Sequence, residues 1–321
     1  MTLLARITDA VVGHHRALVL GGVIGALWIA PGYLGEYGAQ ILFRFLIALV
    51  LAEAWNLLGG YTGLVFLGTS SGVGIGGYVL VGLLNHSNLP LAIVIALAAA
   101  AGAVLAALAA PALLRLRGLY FTVGTLALAE ILRLLMINSD RLGGATGLVL
   151  DRDPPELPGL LHLATALFAV GAAAQWFVSR GHVSVLLRAI RDDEDAARQL
   201  GVRAFRVKLS VLMAAMALMA AAGSIQALKL GAIEPYGMFG LRWSVDALSM
   251  VIIGGIGSRA GPAIGTAIVV LSGEWLADYP EVHLAMTGFL LVLVMRFAPR
   301  GLVGVGSALW RRWRPGRAQT T

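Results

Sequence analysis

From residue 17 to residue 298 the sequence is a succession of apolar runs, most of them close to the length that crosses a bilayer, parted by short polar connections. About 20 apolar residues in an α-helix span the hydrocarbon core, and helices satisfy their own backbone hydrogen bonds there. Ten runs fit: 17–35, 40–58, 64–84, 90–110, 118–137, 160–178, 207–228, 243–257, 261–279 and 284–298, the eighth and tenth being short. The expected fold is an all-α integral membrane protein of about ten transmembrane helices. A cytoplasmic N-terminus (1–16) and a basic cytoplasmic tail (299–321) flank the transmembrane domain (17–298). Composition agrees, with 59% hydrophobic and 13% charged residues against about 25% charged in soluble domains. The chain has no cysteine, which excludes disulfides, thiolate nucleophiles and cysteine metal sites. The N-terminal stretch lacks the small-residue cleavage site of a signal peptide, so the first run is expected to stay as a membrane helix.

Orientation follows from the basic residues, which favour cytoplasmic connections. Arg6, Arg16, Arg115, Arg117, the stretch from Arg180 to Lys208, Arg259 and the arginines of the tail all fall on one side if ten helices alternate. Both termini are then cytoplasmic. The net charge of +7 is thereby explained by topology, and nucleic acid is not expected as a partner. The two longest connections are 138–159, external, and 179–206, cytoplasmic. The third span, GLVFLGTSSGVGIGGYVLVGLL, is expected to be broken by its glycines, which is tolerated at membrane depth only against protein or a water-filled cavity. A weak internal similarity relates AEAWNLLGGYTG to DALSMVIIGGIGSRAG, each an apolar helix that ends in glycines at a cytoplasmic elbow.

The cytoplasmic connection is exceptional. RAIRDDEDAARQLGVRAFRVK, residues 188–208, carries ten of the chain's 24 basic and 17 acidic residues. Asp192 or Asp193 can cap a short helix whose first turn is acidic, and Gly201 suits its C-terminal left-handed position. Glu194 and Arg198 are four apart and can pair. Asp193, Ala196, Ala197 and Leu200 share a narrow face with alanines at its centre. Such a helix is too short to stand alone in water. Acidic residues add nothing to orientation, so a docking helix explains the segment better than a plain solvated loop. The docking residues expected are Arg191, Asp192, Asp193, Glu194, Asp195, Ala196, Ala197, Arg198, Leu200, Gly201 and Arg203.

Asp195-Ala196-Ala197, three residues, then Gly201 resembles the Glu-Ala-Ala-x3-Gly cytoplasmic loop of ABC importer permeases, with Asp in place of Glu. The whole segment is similar to that loop in the branched-chain (hydrophobic) amino acid permease family. NLLGGYTGLVFLGTSSGVGIGGYV, RGLYFTVGTLALAEILR, GAIEPYGMF and MVIIGGIGSRAGPAIG extend the resemblance over about 40–298. It implies a bacterial inner-membrane subunit that pairs with a second, homologous permease or a copy of itself, two ATPase subunits and a periplasmic binding protein. Gly68-Thr69 stands where the family pattern has Gly-His, which leaves urea or short amides open as cargo beside hydrophobic amino acids. No G-x-x-x-x-G-K-[ST] is present, so no ATP site and no cofactor is expected on this chain; ATP and Mg belong to the partner subunit.

Ionisable residues within spans are functional candidates. The candidate substrate pathway comprises Glu53, Asn56, Thr69, Ser70, Ser71 and Thr122 or Thr125, with helix packing as the equally weighted plain role of the small polar ones. Glu130 and Arg133, three apart, are expected to pair on one helix face, and Arg44 and Asp278 to snorkel to the outer interface. An ion-coupled transporter acting alone, with Glu53, Glu130 or Asp246 as its ion site, is the reading of a different class. No nucleophile–base set or metal spacing points to an enzyme. The loop 138–159, with Asp151, Arg152, Asp153 and Glu156, is the expected landing surface of the binding protein or else a solvated loop.

Overall fold

The computed structural model describes residues 21–298 and 301–306; the segment 1–16, with Arg6 and Arg16, and all of the basic tail except 301–306 lie outside the described residues. Described helices are α1 (Gly21–Gly32), α2 (Glu36–Trp55) with a π-helical extension (Asn56–Thr62), α3 (Thr69–His86), α4 (Leu91–Leu113) and α5 (Leu119–Ile137). After a long connection come α6 (Leu157–Val178), α7 (Gly181–Asp192), α8 (Glu194–Gln199) and α9 (Ala204–Leu230). The chain continues through α10 (Pro235–Met238), α11 (Arg242–Gly254), α12 (Gly261–Trp275) and α13 (Pro280–Phe297). Two short strands, β1 (Leu148–Val149) and β2 (Ala232–Ile233), pair antiparallel with Leu148 opposite Ile233.

Among the described residues seven segments are long and apolar enough to cross a membrane: Glu36–Thr62, Leu91–Leu113, Leu119–Ile137, Leu157–Val178, Ala204–Leu230, Pro235–Gly254 and Ala285–Gly306. The expected third and ninth spans coincide with α3 and α12, which fall outside this set because they are short or diluted by glycine, serine and threonine; of the expected first span only the part from Gly21 is described, and it is helical as α1. The chain is therefore an all-α multi-pass membrane protein, and among its described residues seven segments satisfy length and apolarity together.

Small residues build the centre. Helix α9 buries Ala215, Ala220, Ala221, Ala222 and Gly223, and packs on α3 and α4. A β-carbon at Gly72 of α3 would lie 2.7 Å from the Met219 side chain, and one at Gly102 of α4 would lie 2.5 Å from the Met216 carbonyl. At Gly76 it would overlap the Ala220 backbone. Membrane helices gain no hydrophobic drive by leaving lipid, so close backbone approach is what holds them together.

This packing corrects the expectation for the third span. Gly72, Gly74, Gly76 and Gly77 run through an unbroken helix, and the irregular stretch is 63–68, ahead of Thr69. The glycines are there for contact with α9 and its neighbours, not for a break.

The connections sort to two ends of the bundle. At one end β1 and β2 tie 138–156 to the α9–α10 corner, and Asn85 bonds Val149 and Asp151 of that loop at 2.7 and 3.1 Å. Arg152 reaches Ser87 and Asn88, so this loop is braced at two corners. Arg44 bonds Glu274 at 3.0 Å, where snorkelling had been expected. At the opposite end lie Arg117, the α7–α8 hairpin and Arg259, brought together by the bonds described next.

Candidate functional site

Helix α7 is amphipathic, burying Ser184, Leu187 and Ile190 against the bundle. Asp193 then breaks to extended backbone, and its carboxylate accepts the amides of Asp195 and Ala196 at 3.0 and 2.9 Å. It is the N-cap of α8. At the other end Gly201, φ +87°, lets its own amide reach the Arg198 carbonyl and the Val202 amide reach that of Ala197. This is the paired C-terminal closure in which the residue after the glycine folds back on the helix. Val202 therefore packs on Ala197 together with Ile190 and Ala204.

That closure corrects the expected alanine face. Ala197 is buried at 2% exposure inside the hairpin, while Ala196 is exposed and Leu200 is 86% exposed. A six-residue helix cannot hold itself together, so it gives one alanine to its own support. The outward surface consists of Ala196, Gln199, Leu200, Gly201 and Arg203.

Charges fasten α8 on two sides. Glu194 pairs with Arg198 at 2.5 Å and with the buried Lys208 of α9. Asp195 accepts a two-pronged contact from Arg117 of the α4–α5 turn, at 3.0 and 3.1 Å. The guanidinium bonded to it holds the Asp195 carboxyl below the usual range, and the same bond raises Arg117. Asp192 is exposed beside them.

Arg191 ends the hairpin's first helix and points into the bundle. Its Nη1 donates to the Gly60 carbonyl at 2.6 Å, inside the π-helical extension of α2. There Asn56 is fully buried: its Nδ2 donates to the Ser258 carbonyl at 3.0 Å and its Oδ1 accepts the Gly257 amide at 2.9 Å. The two glycine elbows that resemble each other in sequence thus meet in space, bridged by Asn56 and touched by Arg191. Arg259 of the second elbow donates to the Ser179 carbonyl at the root of α7. Asn56, one of the residues expected along the pathway, bonds the second elbow through both ends of its amide.

The other pathway candidates separate into two groups. Thr122 and Thr125 satisfy the irregular stretch, Thr122 donating to the Val65 carbonyl at 2.9 Å and Thr125 accepting the Leu67 amide at 3.1 Å. Ser244 and Trp55 complete the same task on Leu67 and Phe66. Ser71 bonds back to Gly68. By contrast the side-chain oxygens of Thr69 and Ser70, both fully buried at the start of α3, have no hydrogen-bond partner among the described residues. Glu53 is also buried, with Oε2 unpartnered against Gly171 of α6. Among the described residues no cluster of His, Asp and Glu could hold a metal ion.

Sequence reasoning passed over Arg117, Lys208, Gly60, Gly257 and Ser258. The paired Gly-Gly elbows and the Arg-Gly of RGLYF were visible, but nothing in the chain said that they converge on one hairpin.

A family model described as the permease component of branched-chain amino acid transport systems matches residues 37–298. The high-affinity branched-chain amino acid transport system permease protein LivM of Salmonella typhimurium is 29% identical over 324 residues, covering 88% of this chain and 73% of that one. LivM of Escherichia coli is 28% identical over 344 residues, covering 94% and 77%. The autoinducer 2 import system permease protein LsrC of an Enterobacter species is 29% identical over 275 residues, covering 84% and 77%. No solved structure matches the chain.

Proposed function

The chain belongs to the family of permease components of branched-chain amino acid transport systems, and from that premise we propose that it forms half of the translocation pathway of an ATP-driven importer. In this reading it works in the bacterial inner membrane beside a second homologous permease or a copy of itself. Two ATPase subunits bind ATP and Mg from the cytoplasm, and a periplasmic binding protein delivers the cargo. Aliphatic amino acids are the cargo favoured by the two LivM relatives, with urea or short amides as the alternative. Both chain ends and the α7–α8 hairpin then lie in the cytoplasm.

The observation that carries the reading is the build of the hairpin. Its inner side is bonded to α9, to the α4–α5 turn and to both elbows, while Leu200 stands out at 86% exposure. A displacement imposed on the outer side reaches four parts of the bundle through short, mostly charge-assisted bonds. Coupling requires such an element with discrete arrangements.

Reconstitution tests it. Proteoliposomes with the ATPase subunits inside are expected to accumulate an aliphatic amino acid only with ATP and the binding protein. Uphill uptake by the permease alone under a proton or sodium gradient would instead establish an ion-coupled carrier, for which the unpartnered Glu53 is the residue to examine.

A further inference from the structure

Helix α5 lies at the rim of the bundle, and its outward residues are apolar: Val123 and Ile131 are 55% exposed and Leu135 57%. Two charges interrupt that face. The Arg133 Nε donates to Glu130 Oε2 at 3.0 Å, a second guanidinium nitrogen meets Oε1, and the side chains are 24% and 50% exposed. Glu130 lies seven residues, about 10 Å, inside the end of α5 at Ile137. Side chains on a helix lean towards its N-terminus, here deeper into the span, so snorkelling past Ile137 is not open to Glu130. Arg133 turns back to Glu130 and lies over the Tyr236 ring of α10, 4.9 Å from its centre. A half-exposed ion pair at that depth is costly against lipid, and charges so placed mark substrate or ion pathways.

An apolar groove of about 310 Å³ begins one turn further along α5, at Met136, and is walled by Ile75, Tyr78, Val79, Leu83 and Leu142. Met136 stands one helical turn beyond Arg133 on α5, and Tyr78 of the groove packs its ring on Phe239, three residues beyond Tyr236. One cation, one anion and an aromatic face thus meet at Arg133, and an aliphatic slot opens one helical turn away.

We propose that Glu130, Arg133 and Tyr236 form a binding station for an aliphatic α-amino acid, its carboxylate on Arg133, its ammonium on Glu130 and its side chain in the groove. This inference rests on the permease reading above. The station is neutral when empty because its charges compensate each other, and it stays neutral when a zwitterion enters and takes over both partners. A solute with a single charge satisfies one of the two and strands the other, which low-dielectric surroundings penalise.

The test is saturation-transfer NMR on the full chain in lipid nanodiscs with three probes: L-leucine, 3-methylbutylamine, which lacks its carboxylate, and 4-methylpentanoate, which lacks its ammonium. L-leucine is expected to bind at least about tenfold more tightly than either analogue. Binding is expected to be lost in the double variant Glu130→Gln/Arg133→Gln. An equal leucine signal in that variant, or no preference for the zwitterion in the unaltered chain, overturns the proposal. Should the neutral variant fail to insert, the three probes on the unaltered chain decide the matter: a preference of at least about tenfold for L-leucine supports the station, and its absence overturns it. Uptake by the complete transporter separates the two levels: no ATP-driven uptake of any solute defeats the permease reading, whereas uptake with unaltered variant binding defeats only the station.

Discussion

Arg191 Nη1 sits 2.6 Å from the carbonyl oxygen of Gly60, joining the end of α7 to a π-helical turn 131 residues earlier in the chain. A β-carbon at Gly257 would meet both partners of this bond, so three separate segments touch at one point. Replacing Arg191 with Ala removes the hydrogen bond from α7 to the Gly60 elbow while α8 keeps its anchors through Glu194 and Asp195. ATP-driven uptake is expected to fall at least about fivefold with normal insertion, the scale of a coupling free energy of 1 kcal/mol or more. Unchanged uptake would remove Arg191 from the coupling route.

Asn56 holds the two elbows together through both ends of its amide. Asn56→Ala leaves a buried amide and a carbonyl without partners, which costs about 1–3 kcal/mol. Thermal unfolding in detergent is expected to show a lower Tm.

The glycines of α3 differ from those at the bundle's rim. Gly76→Val drives a side chain into the Ala220 backbone of α9 and is expected to abolish monodisperse protein on size-exclusion chromatography. Gly288→Ala meets open space and is expected to be harmless, because Ala is the better helix former by up to about 1 kcal/mol. Equal behaviour of the two variants would contradict the packing described.

Leu200 is the largest apolar side chain on the outer face of α8. Leu200→Asp leaves the N-cap, the closure at Gly201 and all the anchoring pairs intact. Co-purification with the ATPase subunits and ATP-driven uptake are both expected to be lost, with unaltered expression and melting. Retained co-purification would place the docking surface elsewhere.

The Arg117–Asp195 contact gives the hairpin a pH dependence. Asp195 has its folded pKa lowered by Arg117, so its contribution is present above the ordinary Asp value of about 4 and fades as pH falls through the folded value. Both side chains are well exposed, so the effect is local. Hydrogen exchange of α8 amides, corrected for intrinsic rates, is expected to speed up on acidification below about pH 4 and on adding salt. Asp195→Asn should exchange faster at neutral pH and respond less to both, the Asp193 cap and the Glu194 pairs remaining in place.

Much of the hairpin was legible in the chain. Asp193 as cap, Gly201 as stop and the Glu194–Arg198 pair all act within a few residues, where backbone geometry leaves few choices. The inward turn of Ala197 was not legible, because Val202 and Ile190, which cover it, lie on different elements. For the same reason Thr122 and Thr125 look like free polar groups in the sequence, yet they bond carbonyl and amide groups of the stretch 63–68, some 57 residues away.

The sequence by itself determined the medium and the element type, since runs of about 20 apolar residues leave the backbone no partner but its own helix. It also determined where charge is tolerated, and hence the end of the bundle that carries the hairpin. Tertiary structure alone decided that the glycines of α3 serve contact with α9 rather than a break. It alone brought Asn56, Gly60, Arg191 and Gly257 to one point and set Arg133 against Tyr236. Helix formation is a local matter of hydrogen bonds four residues apart, whereas these meetings depend on which small residues let which helices approach, and that is settled only when all of them pack together.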